Sequence, residues 1–587
     1  MSQNGRLRQS ESGSKTLDAG GKVRHPSPMK KKIFLAAGVL VALLAAALYY
    51  LKSSIGPMDA AVLAPEDTVL FVNLTNFPRT VLRWRGTALA KIASEPEMKA
   101  FLGKPLGHFQ SIAGVKESGT ILGSLKPSAL FVAVANVSVN KADVLVGFQY
   151  WGGRKDFESA VARMRRELPA SAKAPVPVDY AGDGILSSQH GAVRIVSATH
   201  GRWGFVATSE ELVKGALDRV SGSHPGLAAN ARFKAVRTHL MADPEVLFFL
   251  ETGKAIDALL AVGKSMGAEA IPSQVGNLRA TEAVGLSLKL DGGLQREVIF
   301  ALRPGARQEG KLGRKPLRFT SADTAFYCDF LGRFDALSAL MERVKAAAQN
   351  RGAGGPQNPE ISALAKQASE AFGPESGIIG SWPTGKMAPA PLFAVEVRDA
   401  AKAGEFLQKA LVLFPETQVT EDGGIKLYSF PSISTPLATP TLAQTDGFLL
   451  LGLDAGTVAS AAHGAGKTST LENSPAFSGA VSAYNGAGEL FAFVDTRMFF
   501  ERAYTALRPV MIFGAAVMPG SSDWMDPAKL PQTEVISRHL PPIILSERKV
   551  NDGILIESSG PITMGQAVLA VASGGLLSKG RSLLRCP

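Results

Sequence analysis

Cysteine is nearly absent from this chain, and charged and aromatic residues are sparse. Of its 587 residues, 2 are cysteines, 7% are aromatic and 19% are charged. Cys328 and Cys586 are too few and too far apart for a disulfide-stapled domain or for a cysteine-based metal site. With 46% hydrophobic residues, the chain is also too apolar to be disordered. The sequence therefore indicates a globular chain that buries sizeable cores, with a length typical of about three to four domains.

Net positive charge is low outside one segment. The net charge is +12, and residues 1–32 alone carry +6 of it. Residues 53–587 carry +5, and they contain no run of Lys and Arg of the kind that follows a phosphate backbone. We therefore expect no nucleic-acid partner.

Only one hydrophobic run is long. Ile33–Leu51 is a stretch of 19 residues without a charge, which as a helix spans about 28 Å, close to the hydrocarbon thickness of a bilayer. A cluster of three lysines, 30–32, precedes this run, and only Lys52 follows it closely. This asymmetry predicts a basic cytoplasmic tail (1–32), a transmembrane helix (33–51) in the inner (cytoplasmic) membrane, and a periplasmic or otherwise extracytoplasmic remainder.

A cleaved signal peptide is the alternative interpretation of the same run. Ala45, Ala46 and Ala47 offer a small-residue cleavage site. However, a run of 19 residues exceeds the usual apolar core of about 7–15, and 32 residues is long for the segment before it. An uncleaved anchor is therefore favoured, and cleavage stays open.

The chain repeats itself once. PEDTVLFVNL from Pro65 matches SADTAFYCDF from Ser321, and FKAVRTHLMADPEVLFFLET matches FSGAVSAYNGAGELFAFVDT. Further matches follow in order with slowly drifting offsets, as small loop insertions would produce. We predict two homologous lobes, at 60–305 and 317–565, with a charged linker that contains Gly and Pro at 306–316 and a C-terminal tail at 566–587.

Each lobe mixes strands with helices. In the first lobe, extended runs at 176–181, 185–189, 192–198 and 203–208 are separated by short turns that contain glycine. Turns this short leave no room for crossover helices, so consecutive strands are expected to be antiparallel. The predicted fold class is α+β: two homologous lobes with largely antiparallel sheets and packed helices, preceded by one transmembrane helix.

Three segments carry a resemblance to a known family. They are LAPEDTVLFVNL with a Pro-led helix after it, SEPEMKAFL, and the final hairpin VNDGILIESSGPI, all downstream of the N-terminal anchor. In this pattern the chain resembles the uncharacterised bacterial envelope proteins called domain of unknown function 3352, over most of residues 60–565. The resemblance implies an envelope location and a two-lobed fold, and it transfers no functional residue.

Polar residues matched between the lobes are the candidate site. Two pairs end equivalent strands and two acidic residues begin them: Glu251 with Thr252, Asp495 with Thr496, Asp67 and Asp323. A functional hypothesis places these groups together in a cleft between the lobes. A structural hypothesis, which is favoured, has Thr252 and Thr496 capping helices and the two aspartates forming Asx turns.

Motifs for catalysis and for cofactors are incomplete. Gly466-Lys467-Thr468 ends like a phosphate-binding loop, but Ala461 replaces the required glycine and a helix is predicted upstream. The eight histidines lack metal-site spacing, and no nucleophile elbow occurs. We predict no cofactor and no metal.

The leading functional hypothesis is a single-span envelope protein whose exported two-lobed portion is a binding or scaffolding module. Its expected partners are the membrane, through residues 33–51, and an envelope protein or an apolar ligand. The second hypothesis is a carrier of an apolar ligand such as lipid. The third is a hydrolase of envelope material, because catalytic triads are defined by geometry rather than by sequence order.

Overall fold

A computed structural model describes most of the chain after the predicted anchor. The described residues are 59–112, 126–138, 141–166, 175–191, 193–265, 279–308, 310–332, 367–412, 414–431, 434–435, 438–445, 447–465, 470–482, 488–517, 526–563 and 565–566. The predicted tail and transmembrane helix, residues 1–51, lie outside this part. So do residues 466–468 and Cys586. Within the described residues, no helix combines the length and the apolar character needed to cross a bilayer.

Ten strands of the first half pair in one antiparallel order, β4-β5-β6-β7-β3-β2-β1-β8-β9-β10. Their bounds are β1 (Leu70–Leu74), β2 (Pro127–Val137), β3 (Ala142–Tyr150), β4 (Val176–Tyr180), β5 (Asp183–His190), β6 (Val193–His200), β7 (Trp203–Ala207), β8 (Val246–Glu251), β9 (Ala283–Asp291) and β10 (Leu294–Leu302). The predicted hairpin series β4–β7 is confirmed, and its turn residues Gly182, Gly191 and Gly201 have positive φ.

Ten strands of the second half repeat that order, as β14-β15-β16-β17-β13-β12-β11-β18-β19-β20. Their bounds are β11 (Thr324–Leu331), β12 (Phe372–Ser381), β13 (Ala390–Val397), β14 (Gln418–Asp422), β15 (Ile425–Ser429), β16 (Thr441–Thr445), β17 (Phe448–Gly452), β18 (Leu490–Val494), β19 (Ile543–Val550) and β20 (Gly553–Gly560). Each strand of the first half thus has a counterpart ten numbers later.

The last strands of the two halves, β10 and β20, pair with each other. Val298, the fifth residue of β10, lies opposite Glu557, the fifth residue of β20. Equivalent positions therefore face each other, which places an approximate two-fold axis through this pair, perpendicular to the sheet. At Gly553 a Cβ atom would lie 2.2 Å from the Ala301 carbonyl oxygen, so the junction requires glycine there. The described strands form a single sheet of 20 rather than the separate sheets that two lobes suggest.

Helices cover both faces of this sheet. Their bounds are α1 (Ala60–Leu63), α2 (Phe77–Trp84), α3 (Ala88–Ser94), α4 (Pro96–Ile112), α5 (Arg154–Arg166), α6 (Glu210–Val220), α7 (Ala231–Arg237), α8 (Thr252–Ser265), α9 (Ala400–Val412), α10 (Ala455–Gly464), α11 (Pro475–Ser482), α12 (Thr496–Val517) and α13 (Thr533–Ser537). Short 3₁₀ turns lie at Leu227–Ala229, Lys315–Phe319, Leu471–Asn473 and Pro527–Lys529. The α+β class with a largely antiparallel sheet and packed helices is confirmed.

Alternation along the strands decides which helices pack on which face. On one face, here called the first face, buried strand residues such as Phe71 and Phe249 pack with Phe233 of α7 in the first half. In the second half, Phe491 and Tyr327 pack with Phe477 of α11. The opposite face has separate, smaller cores under α2 and α5, and under α9. The equivalent helices α7 and α11 therefore lie on the same face, one on each side of the β10–β20 junction.

Several groups of polar contacts join the halves outside the sheet, among them those of Gln295 and Glu297 with residues 561–566. The His239 Nε2 atom lies 3.2 Å from a carboxylate oxygen of Asp552, in the β19–β20 turn. Glu95, between α3 and α4, is paired with both His539 and Arg538, at 2.6 Å each. These contacts fix the second half against the first on either side of the junction.

The segment predicted as a linker merges with the second half. Pro316, Leu317 and Phe319 are buried, and the last two belong to the core under α10 and α11. The end of the 306–316 segment is thus held by apolar packing.

Candidate functional site

The matched polar residues of the first half pair locally. The Glu251 carboxylate lies 2.8 Å from Arg232 and 3.0 Å from Lys254. The same lysine donates to the Asp67 carbonyl oxygen over 3.4 Å. Thr252 begins α8, but its buried hydroxyl has no hydrogen-bond partner among the described residues. The prediction that Thr252 caps this helix is therefore wrong.

The matched polar residues of the second half also bond to nearby groups. The Asp495 carboxylate accepts a hydrogen bond from the Met498 amide over 2.9 Å and so caps α12. The Thr496 hydroxyl instead donates to the Pro541 carbonyl oxygen, which corrects the predicted cap. The Asp323 carboxylate lies 3.2 Å from Arg502.

Threonines close the turns that were predicted to be Asx turns of Asp67 and Asp323. The Thr68 amide and hydroxyl both donate to the Pro65 carbonyl oxygen, over 3.2 and 2.6 Å. In the second half, the Thr324 amide donates to the Ser321 carbonyl oxygen over 3.1 Å. The threonine of each Asp-Thr pair therefore closes the turn that leads into β1 or β11.

The structure does not bring the two sets together. Six strands separate β1 from β11 in the sheet. Seven strand spacings of about 4.8 Å place the sets roughly 34 Å apart. The hypothesis of a cleft lined by matched carboxylates therefore has no geometric basis.

The halves do share a cavity, which lies on the first face of the β10–β20 junction and measures about 700 Å³. We call it the junction cavity, and its lining comes from both halves: Met241, Leu294, Arg296, Glu297, Val298, Pro475, Ala476, Gly479, Ala480, Pro541, Pro542, Ile544, Arg548, Glu557, Ser558 and Ser559. Its size is typical of a small-molecule site, and most of the lining side chains are apolar.

Helix α11 forms one wall. The Ser474 hydroxyl oxygen accepts a hydrogen bond from the Phe477 amide over 3.1 Å and so caps the helix. Buried Phe477 docks the helix on the sheet, and this orientation turns Ala476, Gly479 and Ala480 towards the cavity. A Cβ atom added at Gly479 would meet no atom within 4 Å. The wall is therefore smooth, apolar and open.

The two halves differ in the residues at this wall. In the first half, Val236 of α7 fills the space above Gly285, where an added Cβ would lie 2.1 Å from the valine side chain. The equivalent residues of the second half are Ala480 and Ile544. The helix residue is smaller and the strand residue is larger in the second half, so the contact between helix and sheet differs between the halves.

Charged groups occupy defined places in the lining. Arg548 is paired with Glu557 at 3.4 Å, while its buried Nε has no hydrogen-bond partner among the described residues. Arg296 lies 3.8 Å from Asp291 and its side chain is 48% exposed. The Glu297 carboxylate belongs to the opposite face, where it accepts from the Thr563 hydroxyl and the Gly565 amide over 2.8 and 2.9 Å. The cavity is thus apolar with a cationic component.

A separate buried polar cluster lies inside the second half. Asp329 is fully buried, and neither its carboxylate oxygens nor the Tyr327 hydroxyl has a hydrogen-bond partner among the described residues. Burial, and after it the nearby Glu375 carboxylate, raise the pKa of Asp329 to about 7. Burial also raises the pKa of the Cys328 thiol to about 12, so this thiol stays protonated.

Comparisons with known proteins add little. No protein-family model matches the chain, and no curated protein matches it. Three solved structures of TP0453, its crystal forms I, III and IV, are similar at 12%, 11% and 10% identity. They cover 43%, 44% and 42% of this chain and 81%, 83% and 81% of theirs, with TM-scores of 0.22, 0.23 and 0.23. Scores this low establish no common fold.

We predict that Asp329→Asn stabilises the protein in a pH-dependent way. Because the pKa of Asp329 is about 7 in the folded chain and near 4 when unfolded, its unfavourable ionisation develops as the pH rises through this interval. The gain in free energy of unfolding should be about 2–3 kcal/mol larger near pH 8 than near pH 5, measured by urea unfolding of the full-length protein.

The first half offers a reciprocal control. Asn73 is the equivalent buried residue, so Asn73→Asp should destabilise the protein more at the higher pH. Equal effects of either substitution at both pH values would contradict a titrating carboxylate at this position.

Proposed function

We propose that this chain is a single-span envelope protein anchored by residues 33–51, with its N-terminal tail in the cytoplasm and the remainder in the periplasm. The uncharged run of 19 residues beside the lysine cluster supports the span and its orientation. The resemblance to domain of unknown function 3352 supports the same location.

The two halves are proposed to be homologous lobes. Support comes from the ten-for-ten agreement in strand order and from the equivalent positions of Val298 and Glu557 at the junction. Independent origins would not produce the same out-of-sequence order, in which β8 returns to pair with β1 and β18 with β11.

The exported portion is proposed to be a binding module, and the junction cavity is its binding site. The observation that carries this proposal is that both halves line one cavity of about 700 Å³. A ligand there contacts β10 of one half with β19, β20 and α11 of the other. Binding would therefore stabilise the arrangement of the two halves, as expected of a ligand that binds only the assembled form.

The character of the lining favours an apolar ligand over a polar one. Proline, alanine and isoleucine side chains form the wall and the adjoining floor, at Pro475, Ala476, Ala480, Pro541, Pro542 and Ile544. These groups offer no hydrogen bonds, so a polar ligand would lose its hydration without compensation. We therefore propose that the binding module is a carrier of an apolar ligand such as lipid.

The hydrolase hypothesis has no comparable support. The matched carboxylates on which it depended lie at opposite parts of the sheet, and Glu251 and Asp323 are paired with arginines. We therefore do not propose a catalytic role for them.

Filling the cavity tests the proposed site. Gly479→Phe should project a ring into the open space and abolish enhancement of Nile red fluorescence by the full-length protein in lipid nanodiscs. Gly404→Phe on α9 is the matched control, because an added Cβ there also meets no atom within 4 Å. Equal dye binding by wild type and both variants, above that of empty nanodiscs, would exclude the junction cavity as the site.

Topology fusions test the anchor. Alkaline phosphatase fused after residue 60 should be active, because it is exported, and the same enzyme fused after residue 32 should be inactive. Release of the mature protein from membranes by high salt, or an N-terminus that begins near residue 48, would show cleavage in place of an anchor.

A further inference from the structure

A row of residues lies at one level of four neighbouring strands across the junction, and three of its members line the junction cavity. Lys289 of β9 lies opposite Arg296 of β10, which lies opposite Ser559 of β20, which lies opposite Ile544 of β19. Arg296, Ser559 and Ile544 line the cavity. Lys289 lies two residues after Ser287 in β9, so the two side chains are on the same face. The Ser287 hydroxyl oxygen accepts a hydrogen bond from the amide of cavity-lining Met241 over 3.1 Å, so this is the face of the cavity.

Two cations are therefore neighbours on adjacent strands. Like charges directly opposite each other in an antiparallel pair are destabilising. The Asp291 carboxylate is 3.8 Å from Arg296, and its side chain is 55% exposed. It therefore compensates the positive charge only weakly. Within the described residues, Lys289 has no carboxylate at ion-pair distance. The row thus has an excess of positive charge that an anion would neutralise.

The equivalent row on the other side of the junction axis lacks this character, and of its residues only Arg548 lines the cavity. Counted from the junction axis, Arg296 corresponds to Leu555 and Ser559 corresponds to Phe300. The equivalent of Lys289 is Arg548, which is already paired with Glu557 at 3.4 Å. Positive charge is therefore uncompensated on one side of the junction axis only, which would give a bound ligand a single orientation.

We infer that the junction cavity binds a lipid with one acyl chain and an acidic group, the acidic group lying on Lys289, Arg296 and Ser559. The acyl chain then lies along Ile544, the two prolines 541–542 and the α11 wall. Arginine and lysine supply charge-assisted hydrogen bonds to the acid, and the serine hydroxyl can donate another. This inference rests on the proposed binding function and adds the class of ligand.

A pair of photoreactive probes tests the inference. One is a diazirine-bearing fatty acid and the other is the alcohol of the same chain, each used with the full-length protein in nanodiscs. Both should label peptides that contain 475–482 or 541–544, and the acid should label them more strongly. The double variant Lys289→Gln/Arg296→Gln should lower labelling by the acid about tenfold, the loss of roughly 1.4 kcal/mol of binding, and leave labelling by the alcohol unchanged.

Control measurements separate the outcomes. Lys155→Gln/Arg194→Gln removes two exposed cations elsewhere in the first half and should change neither labelling. Equal labelling by acid and alcohol, unaffected by the double variant, would overturn the acidic ligand and leave the binding site standing. Absence of cavity labelling by both probes would overturn the binding function as well.

Thermal unfolding provides a second readout that does not depend on labelling. Removal of the opposed cations should leave the double variant at least as stable as wild type. The fatty acid should raise the Tm of wild type, and it should raise that of the double variant less. An equal increase in both proteins would contradict the assignment of the acidic group to Lys289 and Arg296.

Discussion

The backbone pairing of β10 with β20 is the interaction on which the rest of the structure depends. Each of these strands is the last of ten in its half, and without the partner each would present an unpaired edge. Pairing them satisfies both edges at once and leaves the sheet with β4 and β14 at its ends. The polar contacts of His239 with Asp552 and of Glu95 with His539 then add only local restraint.

The same pairing produces the junction cavity. Because the strands meet near their equivalent fifth residues, the equivalent helices α7 and α11 lie on one face, on either side of the axis. Identical sequences would pack the two sides identically. Ala480 and Ile544 differ from their first-half equivalents, and Arg296 gives the floor a cation that its equivalent Leu555 does not supply. The lining of the cavity is therefore asymmetric, although the two halves share one strand order.

Sequence reasoning succeeded where the determinants are local. The glycines at 182, 191 and 201, which have positive φ, mark the turns of the β4–β7 series. The repeat was visible because Asp-Thr leads into both β1 and β11. The pairing of β10 with β20 depends on residues more than 250 positions apart, and neither strand carries a local signal for its partner.

The candidate site was likewise predictable only where its determinants are local. The matched acids were recognisable, but their ion pairs with Arg232 and Arg502 come from tertiary packing. The cavity was missed because its lining comes from both halves, and its charge asymmetry is a difference between them: Lys289 and Arg296 against Arg548 and Leu555. Alignment of the two lobes residue by residue would have shown the substitutions, although only the β10–β20 pairing shows that they share one space.

Hydrogen–deuterium exchange of the full-length protein tests the β10–β20 junction most directly. Backbone amides paired across it, within Val298–Ala301 and Ile554–Glu557, should exchange as slowly as those of central strands β1 and β11. The fully exposed edge strand β14 provides the fast reference in the same experiment. Exchange of the junction amides at the rate of β14 would contradict a continuous sheet, and with it the cavity that the pairing creates.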